Sequence, residues 1–113
     1  MTGGPRVRRV AQVIRLRPGH EEEYRVLHRE VPEPVLAALR AARVRNYSIF
    51  ERDGLLLAYL EYTGDDLEAD LARVAQDPAT RAWWSRTDPC QEPVASAGPG
   101  TWWADATELF HLD

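Results

Sequence analysis

Residues 46–62, which read NYSIFERDGLLLAYLEY, decide the fold. Two runs rich in aliphatic and aromatic residues flank Asp53-Gly54, a dipeptide that is typical of tight β-hairpin turns. The stretch therefore predicts two antiparallel strands. The second run is almost continuously apolar in its first six residues, which is typical of a central strand that is covered on both faces.

Upstream of this hairpin, the sequence predicts one strand and an interrupted helix. Residues 7–16 (VRRVAQVIRL) are rich in β-branched side chains and form the predicted first strand. The three glutamates at 21–23 favour the first turn of a helix, where the macrodipole stabilises negative charge. Pro32 and Pro34 each remove a backbone donor, so the helix must end, kink or restart there.

Downstream of the hairpin, helical and strand patterns follow in turn. They are an amphipathic helix at 67–75, a short helix at 78–86, a long Pro- and Gly-rich loop at 87–100 and a final strand at 108–112. The order is β-α-β-β-α-β, which predicts an α+β, ferredoxin-like fold with four antiparallel strands and helices on one face.

The chain length predicts a single domain over residues 7–113, preceded by a flexible N-terminus at residues 1–6. No element is left over to cover the open face of the predicted sheet. Because an exposed apolar sheet face is a liability, we expect a second copy of the chain to cover it, in a homodimer.

Composition excludes several classes of function. The net charge of -4 and the scattered arginines give no basic surface for nucleic acid. No apolar run is long enough for a membrane span, so we expect a cytoplasmic protein without a membrane partner. The single cysteine, Cys90, has no local signature of a nucleophile, and no Cys/His spacing suggests a metal site. We therefore expect no metal.

The residues Tyr24 and His28 are the first candidates for chemistry. They are four positions apart, so a helix places them on one face with their polar ends close together. A phenol and an imidazole at this spacing can transfer protons, and they can equally close the edge of a core. His111, on the predicted last strand, is a candidate second residue of the same pocket.

Four tryptophans form two adjacent pairs, at 83–84 and 102–103. On a helix, Trp83 and Trp84 point about 100° apart, so one can face the core while the other faces a cleft, a partner or solvent. Indole rings stack on the C–H faces of sugars and keep an N–H group for hydrogen bonding. The pattern is compatible with a ligand-binding wall and with a core residue beside an interface residue.

Four segments together resemble the L-rhamnose mutarotase family, which comprises small dimeric enzymes with a ferredoxin-like α+β barrel. These segments are EEEYRVLH, RNYSIF, RAWWSRTDPCQ and ELFHL, in order and with similar spacing. The resemblance implies interconversion of the α and β anomers of L-rhamnose, with no cofactor. It further implies that His28 donates the proton, that Tyr24 is an active-site tyrosine, and that a set of residues binds the sugar: Tyr47, Trp83 and Trp84, with Asn46 and Asp88 beside these motifs.

One position departs from the family pattern. Where family members tend to have tryptophan before Pro-Glu, this chain has Pro32, which removes a large flat surface near the predicted pocket. Two alternatives to the mutarotase therefore stay open. One is another cofactor-free proton transfer, by a cyclase, epimerase or isomerase acting on a larger metabolite. The other is a non-catalytic dimeric module that binds a sugar or an aromatic metabolite.

Overall fold

The computed structural model describes residues 7–113, and the predicted flexible N-terminus at 1–6 lies outside the described residues. After the first strand, helices and strands follow one another in pairs along the chain. In order they are β1 (Arg8–Leu16), α1 (Glu21–Leu27), α2 (Glu33–Ala41), β2 (Val44–Arg52), β3 (Leu55–Tyr62), α3 (Leu67–Gln76), α4 (Pro78–Thr87), a 3-10 turn (Asp88–Cys90), β4 (Gln91–Glu92) and β5 (Ala104–Ala106). Within residues 7–113, none of the helices has the length and apolar character needed to cross a bilayer.

Strand β1 is the centre of the sheet. It pairs with β3 along one edge, and β3 pairs with β2 through the Asp53-Gly54 turn. The other edge of β1 pairs with two short strands, β4 near Leu16 and β5 near Ala11. All the pairings are antiparallel. The predicted α+β, ferredoxin-like fold is confirmed, although two short strands share the place of the fourth.

The prediction of a strand at 108–112 is wrong for the single chain, since these residues have no ladder partner. The pairing of Ala106 with Ala11 explains why. In that antiparallel register Arg9 lies beside Glu108, and their side chains form an ion pair. The residues after Glu108 extend past Arg8, the first residue of β1, so β1 offers them no partner. The apolar pattern at 108–112 predicts an extended backbone, but a sequence pattern does not show whether another strand lies beside it.

Prolines separate the two N-terminal helices, as predicted. Helix α1 already ends at Leu27, however, and His28 is the residue that caps it. Pro32 precedes the first turn of α2 and Pro34 lies within that turn, where proline costs no hydrogen bond. The first helix therefore ends several residues before the break that Pro32 and Pro34 predict.

The core consists of two clusters on the helix-covered face of the sheet. One contains Ile14, Leu16, Tyr24, Leu56 and Cys90, and the other contains Ala42, Val44, Leu60, Tyr62 and Val74. Gln12 lies on the same face of β1 as Ile14, since alternate side chains of a strand share a face. A polar side chain thus lies on the inner face of the central strand.

A buried polar contact anchors α3 to the sheet. The hydroxyl of Tyr62 donates a hydrogen bond of 2.5 Å to the buried carboxylate of Asp70 and accepts one of 2.8 Å from the backbone N–H of Asp66. Arg73 also pairs with Asp70. The hydroxyl of Tyr62 therefore provides an acceptor for a backbone N–H at the start of α3 and a donor for a buried carboxylate.

We expect Tyr62→Phe to lower the free energy of unfolding by about 1–3 kcal/mol, because the buried Asp70 carboxylate loses a donor. Urea unfolding monitored by tryptophan fluorescence measures the change. The matched control is Tyr59→Phe, which deletes the same atom at a hydroxyl bonded to Glu61 on the other face of the sheet. A loss in Tyr62→Phe no larger than that of the control would contradict the anchoring role.

Candidate active site

A cavity of about 910 Å³ lies between the inner face of the sheet and the helices. Its walls include side chains from β1, β2 and all four helices. All seven residues that the sequence predicted for the site line this one cavity. They are Tyr24, His28, Asn46, Tyr47, Trp83, Trp84 and Asp88.

His28 is held at the end of α1 by its own helix. Its ring Nδ1 lies 2.9 Å from the backbone oxygen of Tyr24, which also accepts the backbone N–H of His28. Because a carbonyl oxygen only accepts, Nδ1 must carry the hydrogen. In the neutral ring the free lone pair is then on Nε2, which can accept a proton from a molecule in the cavity.

Aromatic rings surround the imidazole of His28. The ring of Tyr24 lies with its centroid 4.1 Å away, and the ring of Trp83 meets it edge to face at 5.1 Å. These contacts hold the imidazole between α1 and α4. The spacing of Tyr24 and His28 that the sequence showed thus produces a real contact, although His28 lies just beyond the helix.

Tyr24 is buried, and its hydroxyl accepts a hydrogen bond of 3.2 Å from the side-chain amide of Gln91. Burial raises the pKa of Tyr24 well above its ordinary value, and the nearby Tyr47 adds to the rise, while the Gln91 hydrogen bond opposes it. The phenol therefore keeps its proton at neutral pH. It can serve as a hydrogen-bond donor in this site and not as a base.

A bulge in β2 positions Tyr47. Arg45 pairs with Glu61 and Ser48 pairs with Tyr59, so two residues of β2, Asn46 and Tyr47, oppose one residue of β3. Asn46 takes a left-handed conformation with φ of 48°, which asparagine tolerates better than most residues. The extra residue reverses the alternation and turns Tyr47 to the cavity side, and desolvation raises the pKa of its phenol.

The tryptophans of α4 divide as their spacing predicted. Trp83 is buried and touches His28, whereas Trp84 is partly exposed, and both line the cavity. Asp88, just after α4, also lines the cavity, and desolvation raises the pKa of its carboxyl group. The site thus combines flat apolar walls with one carboxyl group that can bind hydroxyls.

Two glutamines and two tryptophans that were not predicted as site residues also line the cavity. They are Gln12, Gln91, Trp102 and Trp103. Gln12 was visible as the one amide on the inner face of the predicted first strand. Gln91 had no such signal, because the long loop in which it was placed contains a 3-10 turn and a strand. The second tryptophan pair does line the cavity, a question that the sequence left open.

Two other sequence candidates lie elsewhere. His111 is on the exposed tail, where it bonds to Asp113, and it does not line the cavity. Cys90 is fully buried in the core, and burial and Glu23 raise the pKa of its thiol, which disfavours a nucleophilic thiolate. Among the described residues, Cys90 also lies near His20 and Glu23, with potential ligand atoms within 4.8 Å of one another.

The fold and the cavity together define a small α+β domain with an aromatic-walled cavity that is wide enough for a small organic ligand and is lined by an imidazole and two phenols. The sequence model for L-rhamnose mutarotase matches residues 9–112. The chain belongs to the L-rhamnose mutarotase family, a family of isomerases, and the resemblance seen in the sequence is confirmed.

Curated relatives agree over nearly the whole chain. The L-rhamnose mutarotase of Listeria monocytogenes is 32% identical over 106 residues, which cover 92% of this chain and 97% of that protein. The L-rhamnose mutarotase of Opitutus terrae is 33% identical over 107 residues, which cover 93% and 98% of the two chains.

Solved structures share the fold. An L-rhamnose mutarotase from Formosa agariphila superposes with a TM-score of 0.73 at 20% identity, covering 94% of this chain and 99% of that one. Tetracenomycin F2 cyclase from Streptomyces glaucescens superposes with a TM-score of 0.66 at 18% identity, with the same coverage. At these identities the likeness shows the fold alone, so the cyclase does not support the alternative of a larger substrate.

The raised pKa of Tyr24 predicts a loss of stability at alkaline pH. The folded state keeps this proton while the unfolded state releases it above about pH 10, so the free energy of unfolding falls as pH rises beyond that point. Tyr24→Phe should flatten this fall by up to about 1.4 kcal/mol per pH unit. The chain has 14 arginines and no lysine, so lysine titration does not overlap.

Urea unfolding at pH 9, 10 and 11 measures this slope. Ser85→Ala, which removes an exposed hydroxyl without a titrating group, is the control and should keep the wild-type slope. The same slope in Tyr24→Phe and in the wild type would show that Tyr24 does not hold its proton more tightly in the folded state.

Proposed function

We propose that this chain interconverts the α and β anomers of L-rhamnose by acid–base ring opening, with His28 as the proton-transferring residue. The observation that carries this proposal is the Nδ1 hydrogen bond to the Tyr24 carbonyl, which leaves Nε2 as the free base in the cavity. Family membership supports the reaction, and the names of the curated relatives support the sugar.

The reaction moves one proton between two oxygens of the same carbon. Nε2 of His28 accepts the proton of the anomeric hydroxyl and, as imidazolium, delivers it to the ring oxygen while the bond from the anomeric carbon to that oxygen breaks. The open aldehyde rotates about its bond to the next carbon. The reverse proton transfer then closes the ring on the other face of the carbonyl.

The other cavity residues bind the sugar in this proposal. Tyr24 donates its phenol hydrogen to an oxygen of the reacting centre, where negative charge develops during ring opening. Trp83 and Trp84 pack on the C–H faces of the pyranose, and Tyr47 and Asp88 bind its hydroxyls. Asn46 has a supporting role, since its amide nitrogen bonds to Glu61 at 2.6 Å and its backbone forms the bulge.

Pro32 does not reach this site. It is exposed before the first turn of α2 and is not among the residues that line the cavity. Its neighbour Val31 does line it. The absence of the tryptophan expected from the family pattern therefore leaves the residues proposed for catalysis in place.

Saturation-transfer NMR of L-rhamnose measures the exchange between its anomers directly. We expect wild-type protein to accelerate this exchange and His28→Ala to lose about 10²–10⁴-fold of the acceleration, the usual contribution of a positioned acid–base group. His20→Ala is the matched control, because it removes an imidazole at the start of α1 that bonds to Glu23 and does not line the cavity.

Each result is decisive for one part of the proposal. A wild type that does not accelerate exchange would exclude the mutarotase activity. Acceleration that survives in His28→Ala would keep the activity and exclude His28 as the group that transfers the proton.

We also propose that the chain acts as a homodimer formed through the open face of the sheet. Phe50 and Leu57 on this face are 60% and 43% exposed. The C-terminal tail adds three more apolar side chains, Leu109, Phe110 and Leu112, at 93%, 80% and 79% exposure. The open face and the tail together expose enough apolar surface to favour a second copy as their cover.

Size-exclusion chromatography with light scattering should give twice the chain mass of 12.8 kDa. Phe50→Glu should shift the population to monomer, because it buries a charge in the proposed interface. Val26→Glu places the same charge on an exposed apolar position of α1, away from that face, and should leave the dimer intact. A monomeric wild type would contradict the proposal.

The remaining sequence-based expectations stay predictions. They are the single domain at 7–113, the cytoplasmic location, the lack of a metal or cofactor, and the lack of nucleic-acid and membrane partners.

A further inference from the structure

We propose that Gln91 is a positioning residue that makes Tyr24 a hydrogen-bond donor towards the bound sugar, and that Trp102 sets the direction of the Gln91 amide. This inference rests on the proposed mutarotase function and adds two residues to it. Neither residue belongs to the set that the sequence predicted for the site.

The three side chains form a directed chain of hydrogen bonds. The indole Nε1–H of Trp102 donates to Oε1 of Gln91 at 3.0 Å, and Nε2 of Gln91 donates to the hydroxyl oxygen of Tyr24 at 3.2 Å. An indole N–H can only donate, so the amide must turn its oxygen towards Trp102. Its NH₂ group then has to face Tyr24.

The direction of this chain decides what Tyr24 can do. Its oxygen is an acceptor in the bond from Gln91, so its own hydrogen cannot be used there. Burial favours the neutral phenol, which retains that hydrogen. Since Tyr24 lines the cavity beside His28, the remaining direction for the hydrogen is towards a ligand oxygen.

The backbone holds Gln91 rigidly in this place. Its residue is only 3% exposed, and it pairs with Leu16 of the central strand β1. Its backbone oxygen also accepts a hydrogen bond of 3.0 Å from the guanidinium of Arg17. A buried amide with both ends bonded rarely flips, because a flip would break two hydrogen bonds at once.

Gln91→Glu tests the direction with almost no change of shape. A carboxylate still accepts from Trp102, but it also accepts from Tyr24 and so takes the hydrogen that the sugar would receive. We expect the rate of anomer exchange at saturating rhamnose to fall about 10- to 100-fold, as for a lost charge-assisted hydrogen bond. The KM for rhamnose should change much less.

The pH dependence of this variant separates positioning from damage to the fold. When the introduced carboxyl group is protonated, its O–H can again donate to Tyr24. The ratio of variant to wild-type rate should therefore rise as the pH falls into the acidic range. A ratio that is constant with pH would overturn the proposal, because a packing defect has no such dependence.

A double-mutant cycle with Tyr24→Phe tests whether Gln91 acts through Tyr24. If it does, Gln91→Glu should cost little further rate in the Tyr24→Phe background, and the two effects should be far from additive. Additive effects would overturn the proposal. Thermal denaturation of all three variants checks that each remains folded under the assay conditions.

One measurement does not depend on activity. In ¹H–¹⁵N spectra, the indole resonance of Trp102 is assigned by its loss in Trp102→Phe, and Gln91→Glu should shift it downfield because a carboxylate is a stronger acceptor than an amide. An unshifted resonance would overturn the hydrogen-bond chain itself. If the wild type is inactive but the Trp102 resonance shifts in Gln91→Glu, the mutarotase function is rejected, while the hydrogen bonds that link Trp102, Gln91 and Tyr24 remain established.

Discussion

One hydrogen bond, between Nδ1 of His28 and the backbone oxygen of Tyr24, contributes both to the end of α1 and to the chemistry that we propose for the cavity. The last carbonyls of a helix lack intrahelical donors, and here one of them receives a side-chain donor as well as the backbone N–H of His28. The same bond fixes the tautomer of the imidazole. A structural need of the helix terminus thus produces a base that faces the cavity.

The opposite wall depends on a second departure from regular structure. The bulge at Asn46 and Tyr47 brings a phenol to a face where regular alternation would have placed a different side chain. Tyr24 and Tyr47 thereby face the same cavity from a helix and a strand, and desolvation raises the pKa of both phenols, so both are neutral at physiological pH. Two neutral phenols beside one imidazole supply donors without adding a competing base.

The sequence predicted the ferredoxin-like order because helix periodicity and turn residues are local signals. Helical spacing also pointed to Tyr24 and His28, whereas Asn46, Tyr47 and Asp88 were named only through the resemblance to the family. Long-range pairing was less accessible. The last strand was misplaced, since its register depends on where β1 begins, and Gln91 was missed, since its role depends on contact with Tyr24 across the fold. Contacts between distant segments leave no periodic trace in a single sequence.

The size of the cavity bears on why the outer face of the sheet exposes apolar side chains such as Phe50 and Leu57. A space of about 910 Å³ occupies the middle of the region where a chain this short would otherwise pack its core, and the buried side chains divide into two clusters around it. A small domain has little apolar burial to spare. Burial of Phe50, Leu57 and the tail against a second copy would replace the apolar burial that the domain loses to the cavity. The proposed site and the proposed dimer thus have a common origin: apolar side chains leave a space in the middle of the inner face, and others remain exposed on the outer face and the tail.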